Sequence, residues 1–468
     1  MKNFQHESLS HDPVHGYIPF IGRVDGDSEV AEREIIDHPW LQRLRQIHQL
    51  QTAWWVYPTA EHTRFQHVLG VMHLASRAVE TLYESLRKVD AALPSRGYVH
   101  SLMRMAALLH DVGHGPFGHF FDEHFLRDYG LTHETLGSVI VREELGDRLR
   151  GVRRSPQGSM EAGEVLDPEQ IAFLITRPVA GESPEPLRWL HLLRSLFCGI
   201  YTVDNLDFVF RDALMSGYSP RAYDLDRLLH YSFFSDQGLT IHRRGLDALI
   251  RFMRVRGELF RAVYYHRTVR AIDLTLADLF QQSKTLLFPG NPLEHRREYQ
   301  RFTEWSLLVD VARWGESDDP QRRELAGPWQ RFLARQVGWA AVCERNLVFG
   351  AGDVEGSSVF SDGKLLEQAI RSRLPEHLHN VQMRIDLPRH IHRPNSRAAT
   401  AGLNFLYNPA TGRTRALTDD QLYRQLPLSQ RICRVYLPEG TATEVGREID
   451  NALDVLLGSS HQDDLTNM

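Results

Sequence analysis

Residues 100–111 read HSLMRMAALLHD, an almost wholly apolar run that ends in an adjacent histidine and aspartate. A segment apolar all round is expected to be a central, buried helix. An ionised aspartate at its end is costly to bury unless it is paired or metal-bound. Neighbouring side chains on a helix diverge by about 100°, so His110 and Asp111 converge only on a centre lying between them. A divalent metal fits that geometry. Mixed imidazole and carboxylate ligation suits Mn, Fe, Zn or Ni, and Mg less well.

The same stretch continues LLHDVGHGPFGHFFD, placing His110, His114, His119 and His124 within fifteen residues. Further ligands must come from elsewhere. His67 follows Arg64 by three positions in a helical pattern over 63–86, so the two face the same way. Asp204, Phe208 and Asp212 are spaced i, i+4, i+8 in a second helical pattern over 200–214, which gives one face with two carboxylates. Taken alone, His67 or Asp204 is more often a capping or solvated residue. The His-Asp pair inside an apolar helix is the stronger signal.

The rest of the chain bounds the class. With 468 residues the chain is too long for one ordinary domain. A net charge of −6, from 54 basic and 60 acidic residues, argues against a protein that coats nucleic acid. Cys198, Cys343 and Cys433 are far apart and form no CxxC pair, which fits a reducing, cytoplasmic setting. No apolar run approaches the ~20 residues of a membrane span, and the opening MKNFQHESLS has no leader-like apolar core. The expected organisation is a lead-in over 1–30, a helical domain over 31–290, a smaller mixed α/β lobe over 291–458 and a disordered tail over 459–468. Asp37 is read as the N-cap of a helix whose apolar stripe runs through Trp40, Leu41, Leu44, Ile47 and Leu50. Residues 246–285 read as one or two long amphipathic helices. Arg256, Phe260, Tyr264 and Arg267, spaced 4, 4 and 3, would share one face there.

The strings DPVHG, DHPWLQRLRQIHQL, WWVYP, HTRFQHVLGV, LLHDVGHGPFGHFFD, THE and VDNLDFVFRD occur in this order. They resemble the HD-domain dNTP triphosphohydrolases, closest to the sterile-alpha-motif and HD-domain branch and its bacterial relatives, with no sterile-alpha-motif module expected. The resemblance is clear over residues 8–285 and loose beyond. It implies a mainly α fold with an HD-domain helical core. It implies metal ligation by His67, His110, Asp111 and Asp204. His114, His119, Asp122 and His133 would line the reaction site, with His119 as proton donor to the leaving 5′ oxygen and Arg64 on the α-phosphate. Gln49, Leu50, Asp212, Arg256 and Tyr264 would hold the deoxynucleotide, with Tyr264 packed where a ribose hydroxyl would clash. Asp37, Gln42 and Arg45 would read a dGTP or GTP activator at an interface of a homo-oligomer, a dimer or tetramer. The same three residues also suit a capped and solvated helix face.

The sequence departs from the resembled family in three places. Asn205 stands where a phosphate-gripping lysine is usual after the last metal aspartate, and Phe208 stands where a tyrosine is usual near the 3′-hydroxyl. The lysine expected a few residues ahead of DPVHG is also absent. The implied activity is metal-dependent release of inorganic triphosphate from a dNTP. The alternatives are another HD phosphohydrolase acting on a deoxynucleoside monophosphate or a (p)ppGpp-like molecule, and a nucleotide-sensing or single-stranded nucleic-acid-binding regulator.

Overall fold

The computed structural model describes residues 6–23, 29–177, 187–350, 358–391 and 404–465, with side chains to 458. The chain divides into two compact units that interleave along the sequence. The first comprises Met1–Leu259, Lys284–Asp310 and Pro394–Tyr423, and the second Phe260–Ser283, Val311–Arg393 and Arg424–Met468.

The first unit is mainly helical. It opens on an antiparallel hairpin, β1 (Glu7–Asp12) and β2 (Gly16–Ile21). Two short helices follow, α1 (Glu32–Ile36) and α2 (Pro39–Gln42). Asp37 ends α1 rather than starting a helix, which corrects the sequence expectation. The cause is Pro39: it pushes its predecessor His38 to extended backbone (φ −66°, ψ 141°), so helix cannot run through 38. His38 takes the capping role, its ring accepting from the Trp40 amide at 3.3 Å.

The core of this unit is the pair α3 (Arg64–Val89) and α4 (Arg96–Leu109), packed on each other. Thr63 and Gln66 form a capping box that starts α3; the Thr63 amide donates to Gln66 Oε1 at 2.6 Å. Ser95 caps α4 by accepting from the Tyr98 amide at 3.1 Å. Every residue of α4 from Tyr98 to Leu109 is buried, as the apolar run requires. Burial on all sides aims the chain that leaves α4, His110-Asp111, at the centre of the unit. Two further helices, α5 (His119–His124) and α6 (His133–Val139), follow. The helix Val203–Met215 packs on α3 and is capped by Thr202, which accepts from the Asn205 amide at 3.0 Å.

A four-stranded sheet completes this unit. Hairpin Ser232–Ser235 and Gly238–His242 is joined by Asn404–Asn408, parallel to the second of these strands, and then by Arg413–Ala416. Part of the region expected to belong to the C-terminal lobe therefore adds strands to the helical unit.

The second unit is mixed α/β. Its sheet is built on Ser429–Pro438, which pairs antiparallel with Trp339–Phe349, Arg384–Asp386 and Arg389–Ile391. The apolar face, with Cys433, Val435 and Leu437, packs on Leu366, Ile370, Ile449 and Leu453 from two helices, Gly363–Arg371 and Thr443–Leu465. The last of these runs into the tail expected to be disordered, and residues 466–468 lie outside the described residues, as do parts of the turn-rich 349–363 and the strand-like 381–408. Helix Leu246–Leu259 gives way to a π-helical turn at Phe260–Tyr264, and a new helix starts only at Arg267. The single face expected for Arg256, Phe260, Tyr264 and Arg267 is thereby broken, because a wider turn and the interruption at 265–266 shift the register.

Candidate metal centre and reaction site

His67, on α3, and His110, at the end of α4, bring their Nε2 atoms to one point. His67 Nε2 lies 3.1 Å from Asp204 Oδ1 and 3.9 Å from Asp111 Oδ2. His110 Nε2 lies 3.2 Å from Asp111 Oδ1 and 3.7 Å from Asp204 Oδ1. Both Nε2 atoms are buried with no hydrogen-bond partner. Their other nitrogens are engaged: His67 Nδ1 bonds Asp207 Oδ2 at 2.8 Å, and His110 Nδ1 bonds the Ala107 carbonyl at 2.8 Å. Those outer bonds orient each ring so that Nε2 points inward, where it can ligate a metal once it carries no proton.

The electrostatics agree. Burial alone would push the Asp111 carboxyl up, yet His110, Arg64 and His114 hold it well below the ordinary carboxylate range. Asp204 is likewise lowered, against burial, by His110 and His67. Burial alone would lower His67, but Asp204 and Asp207 raise it to about 10. The two carboxylates thus demand a positive charge at His67. A divalent cation on His67, His110, Asp111 and Asp204 supplies it with a nitrogen and oxygen donor set suited to Mn, Fe, Zn or Ni. His67, His110 and Asp111 offer donor atoms all within 4.8 Å of one another, so the residues present fit such an ion.

Asp207 was not singled out in the sequence. It is fully buried, receives His15 Nε2 at 2.6 Å and binds Arg211 through Nε at 2.8 Å and Nη2 at 3.0 Å. Arg211 continues to Asp12 at 2.7 Å, and Asp12 accepts the Val14 and His15 amides at 2.9 Å. The DPVHG turn of the first hairpin therefore braces the face of α3 behind His67. Gly70 leaves the room this needs: a Cβ there would run into Asp207 and Arg211. The available signal was a second aspartate three residues beyond Asp204, in the same helix as Arg211, together with the DPVHG string itself.

A second cluster adjoins the first. His114, fully buried, lies 3.5 Å from Asp111 on one side and 3.5 Å from Asp122 on the other. Its ring stacks on His133 at 3.7 Å. His133 Nδ1 bonds Asp122 Oδ2 at 2.6 Å, and His119 Nδ1 approaches the same oxygen at 3.2 Å. Burial and the neighbouring His114 push His133 down to about 3, so His133 is neutral and donates to Asp122. Asp122 is held low by His114, His119 and His133 despite its burial. His119 alone opens to solvent, its side chain 67% exposed. It starts α5 after Phe117 and Gly118, both at positive φ (61° and 56°), a strained turn of the kind that marks functional loops. A Cβ at Gly118 would strike Arg64, whose Nη1 donates to Asp111 Oδ2 at 2.5 Å.

The other sequence candidates are placed as follows. Asp212 is buried and accepts from His62 Nε2 at 2.7 Å. Gln49 donates its amide to the His62 carbonyl at 3.0 Å and keeps a buried Oε1 with no hydrogen bond. Leu50 is buried beside it in sequence. Arg256 Nη1 donates to the Ile200 carbonyl at 3.1 Å. Tyr264 belongs to the second unit, edge-to-face on Phe260 at 4.8 Å. Asp37, exposed, accepts from Arg33 Nε at 3.1 Å. Gln42 and Arg45 are brought together, Arg45 Nε donating to Gln42 Oε1 at 2.8 Å with its guanidinium 3.6 Å from the Phe65 ring. Asn205 Nδ2 turns to the Ile200 carbonyl at 3.5 Å.

Residues 64–175 match the family model of the HD domain. The uncharacterized protein YwfO of Bacillus subtilis (strain 168) is 26% identical over 351 residues, covering 71% of each chain. Deoxynucleoside triphosphate triphosphohydrolase SAMHD1 of Bos taurus is 30% identical over 291 residues, or 58% of this chain and 46% of that one. The chain thus spans about half the length of that relative. A hypothetical protein from Aquifex aeolicus, known as a crystal structure, shares the fold with a TM-score of 0.67 at 23% identity, over 96% of this chain and 100% of that one.

Proposed function

We propose that this HD-domain chain is a metal-dependent deoxynucleoside triphosphate triphosphohydrolase that releases deoxynucleoside and inorganic triphosphate. The observation that carries the reading is the meeting of two unpartnered Nε2 atoms, His67 and His110, with the carboxylates of Asp111 and Asp204. A divalent ion bound there supplies Lewis-acid polarisation of a phosphoryl oxygen and a more acidic bound water.

The protein's own groups do the rest. Arg64, set against Asp111, presents a guanidinium for the α-phosphate oxygens. His119 is the solvent-open imidazole of its cluster and is suited to hand a proton to the leaving 5′ oxygen. Asp122 orients it through Nδ1, and His133, stacked on His114, bonds the same carboxylate. Gln49, Leu50, Asp212 and Arg256 are assigned to the sugar and phosphate tail, and Tyr264 to exclusion of the ribose. Asp37, Gln42 and Arg45 are assigned to a guanine nucleotide that activates a homotetramer. No helix among the described residues is long and apolar enough to cross a membrane, and a cytoplasmic setting suits the three free thiols.

Asn205 favours one second reading. Its amide is directed at the Ile200 carbonyl and carries no charge for a γ-phosphate. Loss of that grip suits a substrate with a shorter phosphate tail. The test is to incubate the purified protein and Mn with each dNTP, NTP and dNMP and separate the products by ion exchange. Inorganic triphosphate supports the first reading. Orthophosphate supports the second, and no turnover contradicts both.

A further inference from the structure

Behind the brace of His67 lies a cavity of about 570 Å³. It sits within the first unit, and His15, at the hairpin turn, forms part of its wall. Three guanidiniums also line it: Arg77 from α3, Arg251 from helix Leu246–Leu259, and Arg221. The two carboxylates present are already engaged. Asp226 pairs with Arg77 at 2.5 Å, and Asp224 accepts the Arg227 amide at 3.0 Å. Arg251 reaches only backbone carbonyls, its Nε donating to Ala222 at 3.3 Å. The Arg221 guanidinium has no partner among the described residues. In a chain of net charge −6, this is a local surplus of forked donors matched to an oxyanion. Phe210 and Tyr223 add aromatic wall to the same cavity.

One side chain is common to the cavity and the metal centre. His15 Nε2 lies 2.6 Å from Asp207 Oδ1, and Asp207 Oδ2 lies 2.8 Å from His67 Nδ1. A ligand that moves or fixes His15 changes how firmly Asp207 holds His67.

We infer that this cavity binds a small phosphate monoester with an apolar or aromatic body, and that its occupancy changes metal affinity through the contact chain His15, Asp207 and His67. Arg221 and Arg251 take the phosphate, and Phe210 and Tyr223 take the body. The inference uses the metal cluster but not the hydrolytic reading: a protein that binds metal and hydrolyses no nucleotide would leave it intact.

Phenyl phosphate is the probe, because it is no nucleotide and need not enter the reaction site. Calorimetry with phenyl phosphate, inorganic phosphate and phenol should rank them in that order, since only the first offers both halves. Arg221→Ser with Arg251→Ser should weaken phenyl phosphate by about 10-fold or more. Arg221→Lys with Arg251→Lys keeps the charge, loses the fork, and should fall between. Mn titrated into metal-free protein should show a changed affinity when phenyl phosphate is present, and no change in the double serine variant. By reciprocity, Mn must shift phenyl phosphate affinity by the same factor. Binding that survives the serine pair unchanged, or binding that leaves Mn affinity unmoved, overturns the proposal. Absence of binding at about 10 mM phenyl phosphate overturns it too.

Discussion

The two histidine clusters of the first unit use the same residue types and differ in what their ring nitrogens face. In the cluster of His67, His110, Asp111 and Asp204, each Nδ1 is anchored outward and each Nε2 is left bare against two ionised carboxylates. In the cluster of His114, His119, Asp122 and His133, two Nδ1 atoms point inward at a single carboxylate. The first arrangement sets two carboxylates, one of them shared with Arg64, against two imidazole nitrogens that have no other partner, and so its residues fit a cation. In the second, His133 and His119 converge on Asp122 Oδ2, both His114 nitrogens and Asp122 Oδ1 stay buried without a hydrogen bond, and one imidazole, His119, is open to solvent. Spacing in the sequence does not separate these cases; the direction of the outer hydrogen bond does.

Substitutions in the first cluster should have the largest effect. Asp111→Ala removes a donor and leaves Arg64 unpaired, so bound Mn should be lost and turnover should fall by about 1,000-fold or more. Metal analysis beside a steady-state assay checks both. In the second cluster His119→Ala should keep its metal and lose about 100-fold in kcat with KM nearly unchanged. Loss of metal in His119→Ala would erase the distinction between the clusters.

Asp207→Asn probes the bracing layer. It should weaken Mn binding by about 10- to 100-fold, measured by calorimetry, without removing a direct ligand. A proton count sharpens the comparison further. His67, raised to about 10 by its carboxylates, is charged at pH 7.5 in the metal-free protein. Metal uptake there should release at least one proton, since, against burial, Asp111 and Asp204 raise His110 as well, detected by titration in buffers of different ionisation enthalpy. Affinity should climb with pH until about pH 10. In the metal-free fold the sign is the reverse: the raised His67 contributes stability fully present below pH 6.5 and lost as pH rises through about 10. His133, pushed down to about 3, adds no proton to this count. The smallest effect belongs to the surface set. Arg45→Ala should leave basal turnover unchanged and abolish any rate increase by dGTP, whereas a full response would leave Asp37, Gln42 and Arg45 as a solvated face.

The apolar run before His110 was legible because burial on every side has no other reading at that length. The helices carrying His67 and Asp204 were legible from their periodicity. The geometry linking them was not, since Asp207, His15 and Asp12 meet across nearly two hundred residues of sequence. Short-range signals misled at Asp37, where a good capping residue ended a helix because Pro39 imposed extended backbone on His38. They misled again at Tyr264, where a π-helical turn broke a regular spacing. The hairpin Ser232–His242 and its late partner Asn404–Asn408 went unread because parallel pairing across so many residues leaves no local pattern.

The central claim is that one of two adjacent histidine clusters holds the metal. Anomalous diffraction from crystals of the Mn-loaded protein, collected at the Mn absorption edge, tests it directly. The account predicts a peak between His67 Nε2, His110 Nε2, Asp111 and Asp204. A peak among His114, His119, Asp122 and His133 with the first site empty would contradict it.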